Sequence, residues 1–283
     1  MPVTNVTVQE LLAAFQHQEP FQPATNFWRA IEVATVLSHG LPSGRGLDLG
    51  CGNGRLTKII LNHVGRRVMV GIDLDPEETR LAIGEGIYSR VHTCSATHIP
   101  EPSGSFDFVF SNSVLEHIEP IQDTLKEVSR LLRPGGRFLF TVPSNHFHSC
   151  LPAPNAPEQA MAYFETIDKR CAHLRYWTLD EWCANLNNAG LGIEYFQDYM
   201  TPREVSRWVF LSNMTSGILY KLYLGKKRPI EIQRALGGRR SSLHMPMLLA
   251  AFSAKIMSLG VVPDHNHKTH LRACLLIEAV RRQ

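Results

Sequence analysis

The segment Asp48-Leu49-Gly50-Cys51-Gly52-Asn53-Gly54-Arg55 carries the strongest chemical signal in this 283-residue chain. Glycines at alternate positions let a backbone turn tightly and leave its N–H groups open to a closely approaching ligand. Cys51 and Asn53 lie between those glycines on the same loop. The acid ahead of them, Asp48, would repel a pyrophosphate and suits the cationic amino group of an amino-acid ligand. A second acid, Asp73, follows twenty-five residues on, placed to accept both hydroxyls of a ribose. A dinucleotide is the rival ligand for a glycine triplet of this kind, and Asp48 weighs against it.

Proton transfer would fall to the histidines, of which there are 13. His117 stands in LEHI, just past an apolar run. His146 and His148 follow the apolar run RFLFTVP, on the rim where a substrate would enter. His173 and Tyr176 lie in CAHLRYWTLDEW, ahead of a capped helix near the same rim. Each is a candidate general base, against the plainer reading of ordinary loop residues. His98 reads as a solvated turn residue. The cluster HNHKTH at 265–270 has no Cys or acid cluster beside it, so no metal is expected.

The elements that must position these residues follow from periodicity. Residues 7–18 and 27–39 carry apolar residues at helical spacing, parted by Pro20 and Pro23. Short apolar runs at 44–50, 68–75, 90–96, 106–112 and 137–143 predict buried strands. Helices are predicted at 54–64, from Pro76 onward, through SVLEHI and through IQDTLKEVSRLL, with RPGG at 133–136 as a turn. A helix over 178–190, capped by Thr178 and stopped by Gly190, leads to a sixth strand in LGIEYFQDYM. RACLLIEAV at 272–280 predicts a seventh. Strands alternating with helices imply an α/β fold, a mostly parallel sheet with helices on both faces.

Taken in order, GLDLGCGNGR, VGIDLDP, SATHIPEPSGSFDFVFSNSVLEHI and LLRPGGRFLFTVPS resemble the class I S-adenosylmethionine-dependent methyltransferases, in the branch often named type 11. The resemblance covers roughly residues 27–200 and the last strand. It implies a Rossmann-like, doubly wound, seven-stranded sheet and S-adenosylmethionine as cofactor. It also implies that Gly50, Gly52 and Gly54 line the methionine end, that Asp73 holds the ribose, and that Leu74 packs on the adenine. Ala96 and Thr97 would sit at the adenine edge, and Ser111 and Asn112 would face the cofactor and the entering substrate. Family members commonly carry an Asp where this chain has Ser95, a weaker acceptor, so the Ala96 backbone is expected to carry more of the adenine recognition.

The net charge of +3 is the sum of two unlike parts. Residues 202–283 hold 14 Lys and Arg against 4 acids, or +10, and the remainder sums to −7. Between the sixth and seventh strands lie WVFLSNMTSGILYKLYLGKKR and SSLHMPMLLAAFSAKIMSL, basic, apolar and helix-prone. These predict a helical lid, with membrane-surface contact through 206–262 as an alternative and a nucleic-acid groove as a weaker one. The domain reading is an N-terminal helical cap at 1–40, a core at 41–200, an insertion at 201–270 and a last strand at 271–283. Six scattered cysteines and the lack of a signal peptide point to a cytoplasmic protein. The stretch at 245–262 is interrupted by Lys255 and reads as a buried or interfacial helix.

The expected function is methyl transfer to a hydrophobic small molecule, such as a lipid, an isoprenoid or an aromatic natural product. The alternatives are an RNA or protein methyltransferase, or a cofactor-binding scaffold without turnover. Against an amine-methylating enzyme of the N-P-P-Y type, Ser111-Asn112-Ser113-Val114 occupies that tetrapeptide's place. An oxidoreductase is disfavoured by Asp48 and by the RPGG segment.

Overall fold

The computed structural model describes residues 6–215, 244–259 and 271–282. Much of the basic insertion, with the 265–270 histidine cluster, lies outside the described residues. Helix α1 (Val8–Gln18) opens on a capping box, in which the Thr7 hydroxyl accepts from the Glu10 N–H and the Glu10 carboxylate accepts from the Thr7 N–H. Helix α2 (Pro23–His39) starts ahead of the predicted Phe27, because a proline at the first helical position forfeits no hydrogen bond.

Seven strands form one sheet: β1 (Arg45–Leu49), β2 (Val68–Asp73), β3 (Tyr88–Thr93), β4 (Phe106–Asn112), β5 (Leu132–Pro143), β6 (Leu191–Tyr199) and β7 (Cys274–Arg281). Their order is β3-β2-β1-β4-β5-β7-β6, with β7 antiparallel to both neighbours and the other pairs parallel. The sheet is therefore mixed and mostly parallel, as the sequence predicts. From β1 the chain winds outward to β3, then returns to β4 on the other side of β1. That reversal opens a crevice at the carboxyl ends of β1 and β4, where ligands of open α/β sheets bind.

The helices α3 (Arg55–Val64), α4 (Pro76–Gly84), α5 (Ile121–Leu131), α6 (Phe147–Cys150), α7 (Pro157–Cys171), α8 (Leu179–Asn188), α9 (Pro202–Met214) and α10 (Met247–Met257) complete the described elements. Two apolar cores flank the sheet. Phe108 and Phe110 join Val33, Leu37 and Ile60 on one side, while Val109 joins Leu125, Val128 and Trp182 on the other. Successive β4 side chains alternate between them, as the pleat requires.

Four elements differ from expectation. SVLEHI forms a single 3-10 turn, Leu115–His117, instead of an α-helix. RPGG lies inside β5, where the register with β4 slips between Phe106 and Phe108; Gly135, at φ 74°, absorbs the irregularity. β3 ends at Thr93, leaving Ser95 and Ala96 in a loop. Helix α7 was not foreseen; its only fully buried residue is Ile167, so it shows little of the periodic apolar stripe on which sequence reading depends.

Candidate active site

The loop from Gly50 to Gly54 sits over the carboxyl end of β1. The Gly50 and Cys51 N–H groups both donate to the Ile72 carbonyl, at 2.9 and 2.8 Å, which ties the turn to β2. All three glycines have left-handed φ, +78°, +51° and +79°. They differ in what a side chain would meet. A Cβ on Gly50 would come within 2.4 Å of Val114, whereas one on Gly52 would find only Glu78 Oε2 at 3.8 Å. Gly50 is demanded by packing; Gly52 keeps open the face that a ligand approaches.

Beneath the loop, buried Asp48 accepts from Thr57 Oγ1 and Tyr88 Oη, each at 2.5 Å. Burial pushes its carboxyl up to about 6, against the two hydroxyl donors that hold it down. Asp73, at the end of β2, accepts from the N–H groups of Gly52 and Asp75, both at 2.9 Å. The chain's next residue, Leu74, is 75% exposed, a bare apolar surface beside that acid. Ser95 is exposed, and its hydroxyl accepts from the Thr97 N–H at 3.2 Å. Ala96 and Thr97 are partly buried alongside it. Ser111 lies fully buried, its hydroxyl donating to the Leu49 carbonyl.

A cavity of about 270 Å³ opens between this loop and the helical cap. Asp48, Gly50, Cys51, Gly52, Asn53 and Asn112 line it, as do His117 and His173; Ser111 does not. The remaining wall includes residues with no motif: Trp28, Arg29, Glu32, Phe147 and Trp208. Trp28 stands edge-on to Trp208 and Phe147, with ring centres 5.0 and 6.1 Å apart. The cap is fastened to the glycine loop by Glu19, which accepts from Asn53 Nδ2 at 2.9 Å and pairs with Arg29 and Arg55. Glu32, buried on α2, accepts from Asn112 Nδ2 at 2.8 Å, Ser113 Oγ at 2.5 Å and Tyr199 Oη at 3.2 Å. It thereby joins the cap to the ends of β4 and β6.

The histidine candidates separate clearly. His146 is exposed and outside the cavity wall. His148 Nε2 donates to Asp168 Oδ1 at 2.9 Å, behind the wall, and the same oxygen accepts from Tyr176 Oη. Only His117 and His173 reach the cavity itself. Burial drives His173 down to about 3, so its imidazole is neutral at any physiological pH. Glu116, whose side chain is 2% exposed, completes this corner; burial, with Glu32 nearby, pushes its carboxyl up to about 8. Sequence reasoning missed Glu32 and Glu116 as cavity residues. Helical phase alone could have offered Glu32, since it shares an α2 face with Trp28 (four residues earlier) and Arg29 (three).

Residues 47–140 match the family model described as a methyltransferase domain. The domain belongs to the class I S-adenosylmethionine-dependent methyltransferases. Among curated relatives, the tRNA (carboxymethyluridine(34)-5-O)-methyltransferase of Schizosaccharomyces pombe is 32% identical over 136 residues, covering 45% of this chain and 57% of that one. The ubiquinone biosynthesis O-methyltransferase of Xanthomonas oryzae pv. oryzae is 27% identical over 197 residues, covering 66% and 71%. Against the first curated relatives the chain spans between 50% and 66% of their length. Among solved structures, geranyl diphosphate methyltransferase in complex with S-adenosylmethionine superposes with a TM-score of 0.55 over 92% of this chain and 90% of that one. At 15% identity that likeness is one of fold.

The residues present fit S-adenosylmethionine. The open face of Gly52 leaves room for the methionine end. Arg29, on the cavity wall, would offer positive charge to its carboxylate. Asp73 retains lone pairs for ribose hydroxyls, and exposed Leu74 gives the adenine an apolar face.

Proposed function

We propose that this chain transfers the methyl group of S-adenosylmethionine to a hydrophobic small molecule. The supporting observation is the aromatic cluster of Trp28, Phe147 and Trp208, which lines the same cavity as the glycine loop. Bound at the loop, S-adenosylmethionine supplies a methyl already activated as a sulfonium, so orientation and exclusion of water are the protein's main tasks. Arg29, Asp48, Gly52 and Asp73 would hold the cofactor. The aromatic wall would take the apolar body of the acceptor, leaving its nucleophilic atom toward Asn112, Glu116 and His173. Glu32 keeps that arrangement rigid by binding three elements at once.

Methyl-labelled S-adenosylmethionine incubated with a panel of phenols, isoprenoids and lipid quinols tests this reading. Label should pass into the organic extract with at least one apolar acceptor. If a protein that binds the cofactor labels only added RNA or protein, the small-molecule reading falls.

A second reading, contact with a membrane surface, is favoured by α10. Leu248 and Phe252 are 87% and 63% exposed on this helix, and exposed Lys255 follows them. No helix among the described residues is long and apolar enough to cross a membrane. Flotation with anionic vesicles at low salt should carry the protein upward; absence from the floated fraction removes this reading.

A further inference from the structure

We infer that Glu116, His117 and His173 bind a first-row divalent metal ion, Zn2+ in class, at the corner of the cavity where the acceptor's nucleophilic atom would lie. The inference deepens the methyltransferase reading and rests on it only for what the ion would do.

Three donor atoms, one from each residue, lie within 4.8 Å of one another. Ligands of one ion at about 2.0–2.2 Å stand roughly 3–3.5 Å apart, so each side chain would have to move in by about an ångström or less. The hydrogen bonds behind both imidazoles already aim them for ligation. His117 Nδ1 lies 2.9 Å from the Ala172 carbonyl, which can only accept, so Nδ1 carries the proton and Nε2 the lone pair. Tyr176 Oη donates to Asp168, so it accepts from His173 Nδ1 at 3.0 Å, and His173 Nε2 is again the lone-pair nitrogen. A carbonyl behind one histidine and a Tyr–carboxylate relay behind the other are the outer partners that metal-bound imidazoles use.

Glu116 supplies an independent observation. Its side chain is buried on the cavity wall, yet Oε2 makes no hydrogen bond. The neighbouring Arg175 guanidinium acts on it through its charge but makes no hydrogen bond to it, donating instead to the carbonyls of Leu115 and Glu119. A carboxylate buried with an unused oxygen is costly unless a cation or donor meets it. The protein main chain makes the grouping possible by an unusual turn: Ala172 adopts left-handed φ of 59°, which turns its carbonyl to His117 and brings His173 around.

The donor set selects the ion. Two imidazoles and one carboxylate suit Zn2+ or its first-row neighbours, whereas Mg2+ and Ca2+ prefer oxygen alone. Three protein ligands leave a coordination position open. An acceptor hydroxyl taken there would lose its proton more readily, in a site whose cavity-wall imidazoles, among the described residues, are the two ligands themselves. The sequence gives no hint of this set, because His173 stands 56 residues from His117.

The test uses the full chain, stripped with chelator and loaded with S-adenosylhomocysteine, titrated with Co2+ and followed by its d–d absorption. One equivalent should bind and be displaced by Zn2+. E116Q and H173Q should abolish the band, while H146Q, outside the cavity, should keep it. Y176F, which removes the acceptor of His173 Nδ1 and its link to Asp168, should lower Co2+ affinity by about 10–100-fold, a readout that a folding defect, checked by the unfolding temperature, would not mimic. No Co2+ band in the folded wild type overturns the inference, as does unchanged binding in Y176F together with either folded ligand variant. Binding of S-adenosylhomocysteine is read separately in chelator, so failure of the metal site and failure of the methyltransferase reading are distinguishable.

Discussion

Replacing Asp48 by Asn should stabilise the protein at neutral pH and weaken cofactor binding together. Asp48 is buried beneath the glycine loop, and its carboxyl rises from 3.8 to about 6 in the folded chain. A raised acid pKa means that the folded state holds its proton more tightly than the unfolded state does. Stability from this group is therefore full below pH 3.8, declines as pH rises through the window to about 6, and stays low above it. At ~1.4 kcal/mol per unit, the charged carboxylate costs about 3 kcal/mol at pH 7.5. Asparagine removes the charge, and its amide oxygen can still accept from Thr57 and Tyr88. Chemical denaturation of wild type and Asp48→Asn at pH 7.5 and near pH 4 reads this directly. The variant should be more stable by about 3 kcal/mol at the higher pH, with the gap closing toward the lower. A variant less stable at pH 7.5, or a gap that does not change with pH, would refute the argument that burial of charge governs this site.

Gly52→Ala should bind S-adenosylmethionine more weakly while losing only about 1 kcal/mol of stability from its left-handed φ; Gly50→Ala, driven into Val114, should lose more of its fold, and thermal unfolding beside calorimetric titration separates the two. Arg29→Gln removes the charged donor offered to the cofactor carboxylate and should weaken cofactor binding about tenfold to a hundredfold, with equal binding in the titration counting against that role. Trp28→Ala should raise the acceptor KM roughly two- to tenfold, the worth of about 0.5–1.5 kcal/mol of aromatic contact, and leave cofactor affinity untouched; a fall in cofactor affinity instead would move Trp28 to the other half of the site.

Much of the proposed cofactor side could be read in sequence because its requirements are local. Gly52 needs positive φ, Asp73 ends a strand, and Asp75 with Pro76 marks the start of the next helix, so nearby residues carry the signal. The acceptor side was not legible in that way. Trp28, Phe147 and Trp208 come from α2, α6 and α9, and nothing in their spacing says that they meet. Glu116 looked like an ordinary residue of a short helix; only in the fold is it a buried carboxyl facing His173. Helix α7 eluded periodicity because it buries little, and RPGG read as a turn because glycine serves equally well in a strand irregularity. His146 and His148 follow β5 as the motif order implies, but the hydrogen bond to Asp168 turns His148 behind the cavity wall.

The central claim is that the crevice above β1 and β4 holds S-adenosylmethionine between the glycine loop and the cap. Calorimetric titration of the full chain with S-adenosylhomocysteine and with NAD, repeated on Asp73→Ala, tests it most directly. The account predicts one-to-one binding of S-adenosylhomocysteine, none of NAD, and loss of binding in the folded Asp73→Ala variant. Binding of NAD in place of S-adenosylhomocysteine, or S-adenosylhomocysteine binding that is indifferent to Asp73, would contradict it.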